Sequence, residues 1–163
     1  MEFSIIRTKK NHLNEILTLN ESFLPAVSSV DINQMSRFLR FADYFKSVLI
    51  NNKISGFLIA VQPGKKYDSL NYKWFEKKFE SFIYVDRIVI GSEFQGQGIG
   101  RALYDDLQSY ASKKTSTITC EVNIKPSNEG SMIFHQKYGF KKVGTQITDG
   151  GKKEVCLMAY KMS

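Results

Sequence analysis

The sequence predicts a mixed α/β domain: a central mixed, mostly antiparallel sheet of about six to seven strands with flanking helices. Three observations carry this. First, Phe82 to Ile90 is rich in β-branched and aromatic residues and is followed by Gly96, Gly98 and Gly100, then by Ile99, Leu103, Leu107 and Tyr110 at helical spacing. Second, two apolar runs, Ser47 to Ile50 and Ile54 to Val61, flank the turn Asn51-Asn52-Lys53 and read as an antiparallel hairpin. Third, another apolar strand, Ser116 to Ile124, follows the glycine-led helix, so strand, helix and strand imply a parallel pair with a right-handed crossover. The 163 residues are enough for one domain with a substantial core, and no internal repeat marks a second, so the reading is a single domain over 1–163.

In chain order, Phe3 to Arg7 is a short first strand. Thr8 is a candidate cap for a helix carrying Leu13, Ile16 and Leu17. Phe23 to Val30, with Pro25, is loop; Asp31 and Gln34 have capping-box spacing ahead of a second helix marked by Met35, Phe38, Leu39, Ala42 and Phe45. The hairpin follows, and Pro63-Gly64 ends it. Residues 65–80 are a long interruption with five lysines among Tyr67, Tyr72, Trp74, Phe75 and Phe79. Two uses fit: a short helix laying its aromatics on the sheet, or a lid on an acceptor pocket, since long insertions in compact domains often bind ligands. Tyr72, Trp74 and Phe75 are the substrate-binding candidates under the second use. After the strand at 116–124, Pro126-Ser127 opens a helix with Ser127 as its candidate cap, and Phe140 to Val143 and Glu154 to Tyr160 are strands joined through Asp149-Gly150-Gly151.

A glycine nest at a helix start is an anion site, because the first N–H groups have no helical partner and the helix end carries about half a positive charge. A P-loop would need Lys-Ser or Lys-Thr after the glycines, and none follows. A dinucleotide fingerprint would need a small residue where Arg101 stands, although Glu121 falls about 20 residues on, near the place of the ribose-binding acid. A turn without a ligand is the plain alternative. The run Gln95-Gly96-Gln97-Gly98-Ile99-Gly100 resembles the Gln/Arg-x-x-Gly-x-Gly/Ala signature of the GNAT superfamily, the acyl-CoA N-acyltransferases. About 30 residues later, the stretch from Cys120 to Phe140 resembles the second signature of that superfamily, a strand ending in Asn, then Asn-x-x-Ala/Ser, an aromatic residue and Gly-Phe. The resemblance covers roughly residues 82 to 160.

That resemblance implies the GNAT-like fold and an N-acetyltransferase that moves an acetyl group from acetyl-CoA to a primary amine by direct attack in a ternary complex. It implies that Ile88, Val89 and Ile90 bond the pantetheine arm and thioester, and that Gln95, Gly96, Gln97, Gly98, Ile99, Gly100 and Arg101 wrap the pyrophosphate, mainly by backbone. It places Asn123, Asn128 and Ser131 on the same cofactor. His135 stands where many members have the tyrosine that protonates the departing thiolate, so the acid is left between His135 and Tyr138. Asn128, Ser131, His135 and Tyr138 step by three, four and three, one polar face that meets either water or ligand. Asp86, alone in an apolar strand, and Glu121 are the candidate bases, and together they can trap a cationic acceptor.

The net charge of +7 suits a polyanionic cosubstrate, an acidic partner or solubility alone. A basic-aromatic surface at 65–80 for nucleic acid is the lesser reading. Cys120 and Cys156 read as buried thiols, and two Cys and two His without close spacing make no metal site. No apolar run reaches the ~18 residues of a membrane span, and no signal-peptide pattern opens the chain, so the expectation is a soluble cytoplasmic protein. Small amine, amino acid and peptide acceptors all stay open, and a homodimer is compatible with the resemblance. The missing tyrosine motivates a second reading, a non-catalytic acyl-CoA-binding or interaction module on the same scaffold.

Overall fold

The computed structural model describes all 163 residues. They form two compact units: Met1–Val61 with Arg87–Leu107, and Gln62–Asp86 with Gln108–Ser163. Seven strands lie in the order β1-β2-β3-β4-β5-β7-β6.

The first unit contains β1 (Ser4–Arg7), a 3-10 turn (Lys10–His12), α1 (Leu13–Glu21), α2 (Ile32–Phe41), β2 (Tyr44–Ile50) and β3 (Lys53–Val61). It also holds the second half of β4 (Ile83–Ile90) and most of α4 (Ile99–Ala111). β1 pairs antiparallel with β2, and β2 with β3, so the hairpin expected around Asn51 is present. Asn51 and Asn52 adopt φ of 50° and 62°, the left-handed region that asparagine tolerates. The capping box is also as expected: Gln34 N donates to Asp31 Oδ1 at 2.8 Å and Asp31 N to Gln34 Oε1 at 2.9 Å. Two expectations fail. Thr8 caps nothing; it is buried, and its hydroxyl lies 2.6 Å from that of Ser47 on β2. The second helix ends at Phe41, with Ala42 extended, and Phe45 is a buried residue of β2. Its apolar spacing imitates a helix because strand and helix burial coincide there.

Arg87 is a charge inside the first unit, only 6 % exposed. Burial of a guanidinium requires full pairing. Its Nη1 donates to Asn20 Oδ1 at 2.9 Å and to the Ser28 carbonyl at 3.0 Å, its Nη2 donates to Ser28 Oγ at 3.1 Å, and it lies over the Phe38 ring. These bonds pin the loop after α1.

The second unit holds α3 (Leu70–Lys78), the first half of β4, then β5 (Thr117–Lys125), α5 (Glu129–Tyr138), β6 (Lys141–Thr148) and β7 (Lys153–Lys161). β4 and β5 are parallel, as the strand-helix-strand order requires. β7 pairs antiparallel with both β5 and β6. Residues 70–78 of the interruption are helical, with Tyr72 and Phe75 fully buried. Their rings form one aromatic cluster with β4: Tyr72 and Phe75 lie 5.7 and 5.9 Å from Tyr84, and Phe75 lies 6.2 Å from Phe82. The cap of α5 is Asn128 and not Ser127: Asn128 Oδ1 accepts from Ser131 N at 3.3 Å. Cys120 and Cys156 are buried thiols.

Candidate active site

In the first unit, β4 delivers the chain to a 3-10 turn (Ser92–Phe94) and then to an exposed run from Gln95 to Gly98. Gly96 and Gly98 have φ of +74° and +84°, where a side chain is strained, and a Cβ on either would meet nothing within 4 Å. The turn is therefore curled by glycine without being filled by protein. Helix α4 starts at Ile99, and its first internal bond runs from Ala102 N to the Gly98 carbonyl at 3.0 Å. The amides of Ile99 and Gly100 precede that ladder and lie at the positive end of the helix. Gln95 turns its side chain back, donating from Nε2 to the Ile90 carbonyl at 3.0 Å, and Gln97 does the same to Glu93 at 3.2 Å. Both amides brace the turn and leave its main chain to face a ligand. Ile99 is buried and anchors the helix start, whereas Arg101 is exposed. On β4 itself Val89 is buried, and Ile88 and Ile90 are half-buried. The turn fits a pyrophosphate: its curvature is built from glycine, its outer face is open and its helix dipole favours an anion.

In the second unit, the parallel register of β4 and β5 runs through Ile83–Ile118 and Tyr84–Thr119. Asp86 and Glu121 each lie two residues beyond its last pair, and both are half-buried. Each receives a phenol. Tyr84, fully buried, donates its hydroxyl to both Glu121 oxygens, at 2.8 and 2.7 Å. Tyr67 donates its hydroxyl to Asp86 Oδ1. Burial first, and then the charges of Glu121 and Asp86, push the Tyr84 phenol well above its ordinary value, so it stays a donor. Tyr84 and Tyr67 were not among the sequence candidates. An aromatic residue in an apolar strand reads as core, and only the strand register brings residue 84 to residue 121.

At the head of α5, Asn128 N donates to the Asn123 carbonyl at 3.2 Å and Asn128 Oδ1 accepts from Ser131 N, so the structure does bring Asn123, Asn128 and Ser131 together. His135 is a correction. It is 2 % exposed, with Phe134 and Phe140 edge-on to its ring at 5.1 and 5.2 Å. Its Nδ1 lies 2.8 Å from the Ser131 carbonyl, which can only accept, so that nitrogen carries the proton. Burial lowers its pKa to about 4, so the enclosed ring is neutral at neutral pH and its remaining Nδ1–H is not acidic enough to serve as a general acid. Tyr138 is 8 % exposed, and its hydroxyl takes a bond from Gln108 Nε2 at 2.6 Å, alongside Phe140 and Tyr160. The polar stripe thus turns inward at His135 and Tyr138, which pack among aromatic rings. Tyr72 and Phe75, expected at the acceptor, are likewise enclosed core residues. Trp74 is half-buried against Phe75 and Gly144, where an added Cβ would come within 2.5 Å of its ring.

A β-strand, an exposed glycine turn and a helix start thus follow one another, with the helix's unpaired first amides at the turn. Residues 13–140 match the acetyltransferase (GNAT) family, and the chain belongs to that family. Solved structures are similar over the whole length. Ard1 from Thermoplasma volcanium is 13% identical, with 100% of this chain and 99% of that one covered and a TM-score of 0.82. Naa50 from Arabidopsis thaliana, in complex with the bisubstrate analogue CoA-Ac-MVNAL, is 14% identical, with coverage of 99% and 100% and a TM-score of 0.74. PH1933 from Pyrococcus horikoshii is 26% identical, with 99% of both chains covered and a TM-score of 0.70. The chain matches no curated protein sequence. No helix is long and apolar enough to cross a membrane.

Proposed function

We propose that the 163 residues act as one acetyl-CoA-dependent N-acetyltransferase that acetylates a primary amine directly, in a ternary complex. The observation that carries this is the open glycine turn at the head of α4, with Gly96 and Gly98 at positive φ in a chain of the GNAT family. Main-chain amides of Gln95 to Arg101 hold the pyrophosphate, and the strand from Ile88 to Ile90 offers backbone groups to the pantetheine arm. Asn123, Asn128 and Ser131 contribute to the same arm. Acetyl-CoA supplies the acetyl group as a thioester. An acceptor amine arrives as ammonium and must lose a proton before its lone pair can attack. Asp86 and Glu121 are the two carboxylates available for that, with Asp86 binding the ammonium and Glu121 taking the proton, directly or through water. No side chain of α5 acts as acid in this scheme, since His135 is neutral and enclosed; a thiolate with an ordinary pKa near 8.5 leaves as the tetrahedral adduct collapses, and the second proton shed by the attacking nitrogen reaches it through solvent.

The similar Naa50 from Arabidopsis thaliana is in complex with the bisubstrate analogue CoA-Ac-MVNAL, and this supports a peptide N-terminus as one acceptor class beside small amines. Release of free thiol from acetyl-CoA, followed across peptides and small amines, tests the proposal. Acetylated amine and thiol should appear in equal amounts. The enclosed His135 keeps a second reading in play, a non-catalytic acyl-CoA-binding module. Saturable acetyl-CoA binding without thiol release on any amine selects it, and no binding at all removes both.

A further inference from the structure

We infer that Gly56 is a positioning residue for the acyl donor: at a bulge in β3 it sets the line of residues 89–91 at the end of β4, and so where residues 88–90 meet the acyl-CoA arm. The inference rests on the acetyltransferase reading above and deepens it. Three observations lead to it, all within the first unit. β3 carries one residue more than its partner here: Val48 of β2 pairs with Gly56 and Leu49 with Ile54, which leaves Ser55 between two rungs of the ladder. A bulge of this kind bends its strand and re-aims what lies beside it. On its other side β3 adjoins β4, and the Ser55 carbonyl accepts from Gly91 N at 2.8 Å.

The second observation is space. A Cβ on Gly56 would lie 2.9 Å from the Val89 carbonyl oxygen, 3.0 Å from Ile90 Cδ1 and 3.5 Å from Ile90 Cα. A side-chain methyl can swing away, but a carbonyl fixed in a strand cannot. A larger residue at 56 therefore pushes the main chain of β4 aside by about half an ångström. The backbone of Gly56 is not left-handed, so what glycine supplies here is close approach of two strands. The third observation is that the bulge is tied down. Ser55 is buried, its hydroxyl donates to the Lys53 carbonyl at 3.2 Å, and Ile54 N donates to Glu15 Oε2 of α1 at 3.3 Å. Gly91, at the other end of the contact, leads into the 3-10 turn before the glycine run, and a Cβ on it would lie 3.2 Å from the same Ser55 carbonyl. The two glycines let the bulge and the end of β4 close on each other. A main-chain hydrogen bond weakens as it lengthens, so a strand moved sideways holds the pantetheine arm less well.

The test compares Gly56→Ala with the unaltered protein by isothermal titration of acetyl-CoA, and by kinetics on the best amine among free-N-terminus tetrapeptides, Nα-acetyl-lysine and butylamine. Expected is a rise of about tenfold in the acetyl-CoA Kd, with the amine KM changed less than about twofold. Lost stability alone does not produce that split: Met35→Ala, which empties space in the core of the same unit, should lower the melting temperature and leave the acetyl-CoA Kd unchanged. Ile90→Val in the Gly56→Ala background removes Cδ1 but not the Val89 carbonyl, and should not restore affinity. If Gly56→Ala does not fold, Gly91→Ala reads the same contact from β4, with a smaller rise of about threefold. An unchanged Kd in the folded variant, an equal rise in Met35→Ala, or recovery with Ile90→Val overturns the assignment while the acetyltransferase reading stands. If the unaltered protein binds acetyl-CoA but acetylates no amine, the Kd comparison alone decides. If it binds no acetyl-CoA, the reading fails and takes the inference with it.

Discussion

His135 enters the folded protein uncharged, and pH reports on that. Its folded pKa is about 4, against 6.5 for a free imidazole, because burial disfavours the cation. The unfolded chain therefore binds a proton between those values that the folded chain refuses. The stability this provides is complete above pH 6.5 and is lost as pH falls toward 4, in total about 3 kcal/mol. Urea midpoints measured from pH 7 to pH 4 should fall accordingly, and His135→Gln should flatten that part of the profile even if it lowers the midpoint throughout. Tyr84 is the other residue whose single atom matters. With both Glu121 oxygens bonded to its hydroxyl, Tyr84→Phe removes a donor from a half-buried carboxylate, at a cost of about 1–3 kcal/mol. If Glu121 takes the amine proton, kcat falls about tenfold or more while acetyl-CoA binding stays constant. Equal kcat in the two proteins rules Glu121 out as the base. Neither residue could be judged by type alone. His135 has polar neighbours three and four positions away and reads as a candidate acid; Phe140, five residues on, packs against it and encloses it.

The strand, glycine turn and helix from Ile83 to Ala111 form the most legible element, because each part declares itself locally. β-branched residues set the strand, Gly96 and Gly98 require positive φ, and Ile99, Leu103 and Leu107 repeat at helical spacing and are buried as that predicts. Caps were less legible. Ser127 and Asn128 are both good N-caps by type, and only the extended backbone at Asn128 and its bond to Ser131 decide between them. At this scale the turn itself can be tested. Gly98→Ala places a Cβ at φ +84° and into the open face of the turn, so acetyl-CoA affinity should fall more than about tenfold. Gln95→Ala removes only a brace to the Ile90 carbonyl and should weaken binding less, which isothermal titration of the two variants can rank. A reversed ranking means that the Gln95 side chain, and not the main chain, grips the ligand.

At the scale of the molecule, positive charge is unevenly spread. The second unit holds 14 of the 23 Lys and Arg against eight acids, while the first holds nine against eight. In the proposed reaction a cationic amine would be drawn by Asp86 and Glu121 at short range and not by the net field around them, which is screened beyond about 8 Å at physiological salt. Ligand linkage gives the prediction for the whole chain. Acetyl-CoA at a hundred times its Kd should add about 2.7 kcal/mol and raise the melting temperature by about 5–10 °C. The Gly98→Ala protein should show a smaller rise at the same concentration. No rise with the unaltered protein contradicts the cofactor assignment.

The final strand also has a bearing on how the chain is made. β7 is an inner strand, with β5 on one side and β6 on the other, although it is the last of the seven in chain order. Until Lys153–Lys161 has left the ribosome, β5 and β6 each present a bare edge to other nascent polypeptides. A premature stop codon after Thr148 would do more than trim a tail. It would leave β6 without a neighbour and strip the antiparallel partner from the strand that carries Glu121.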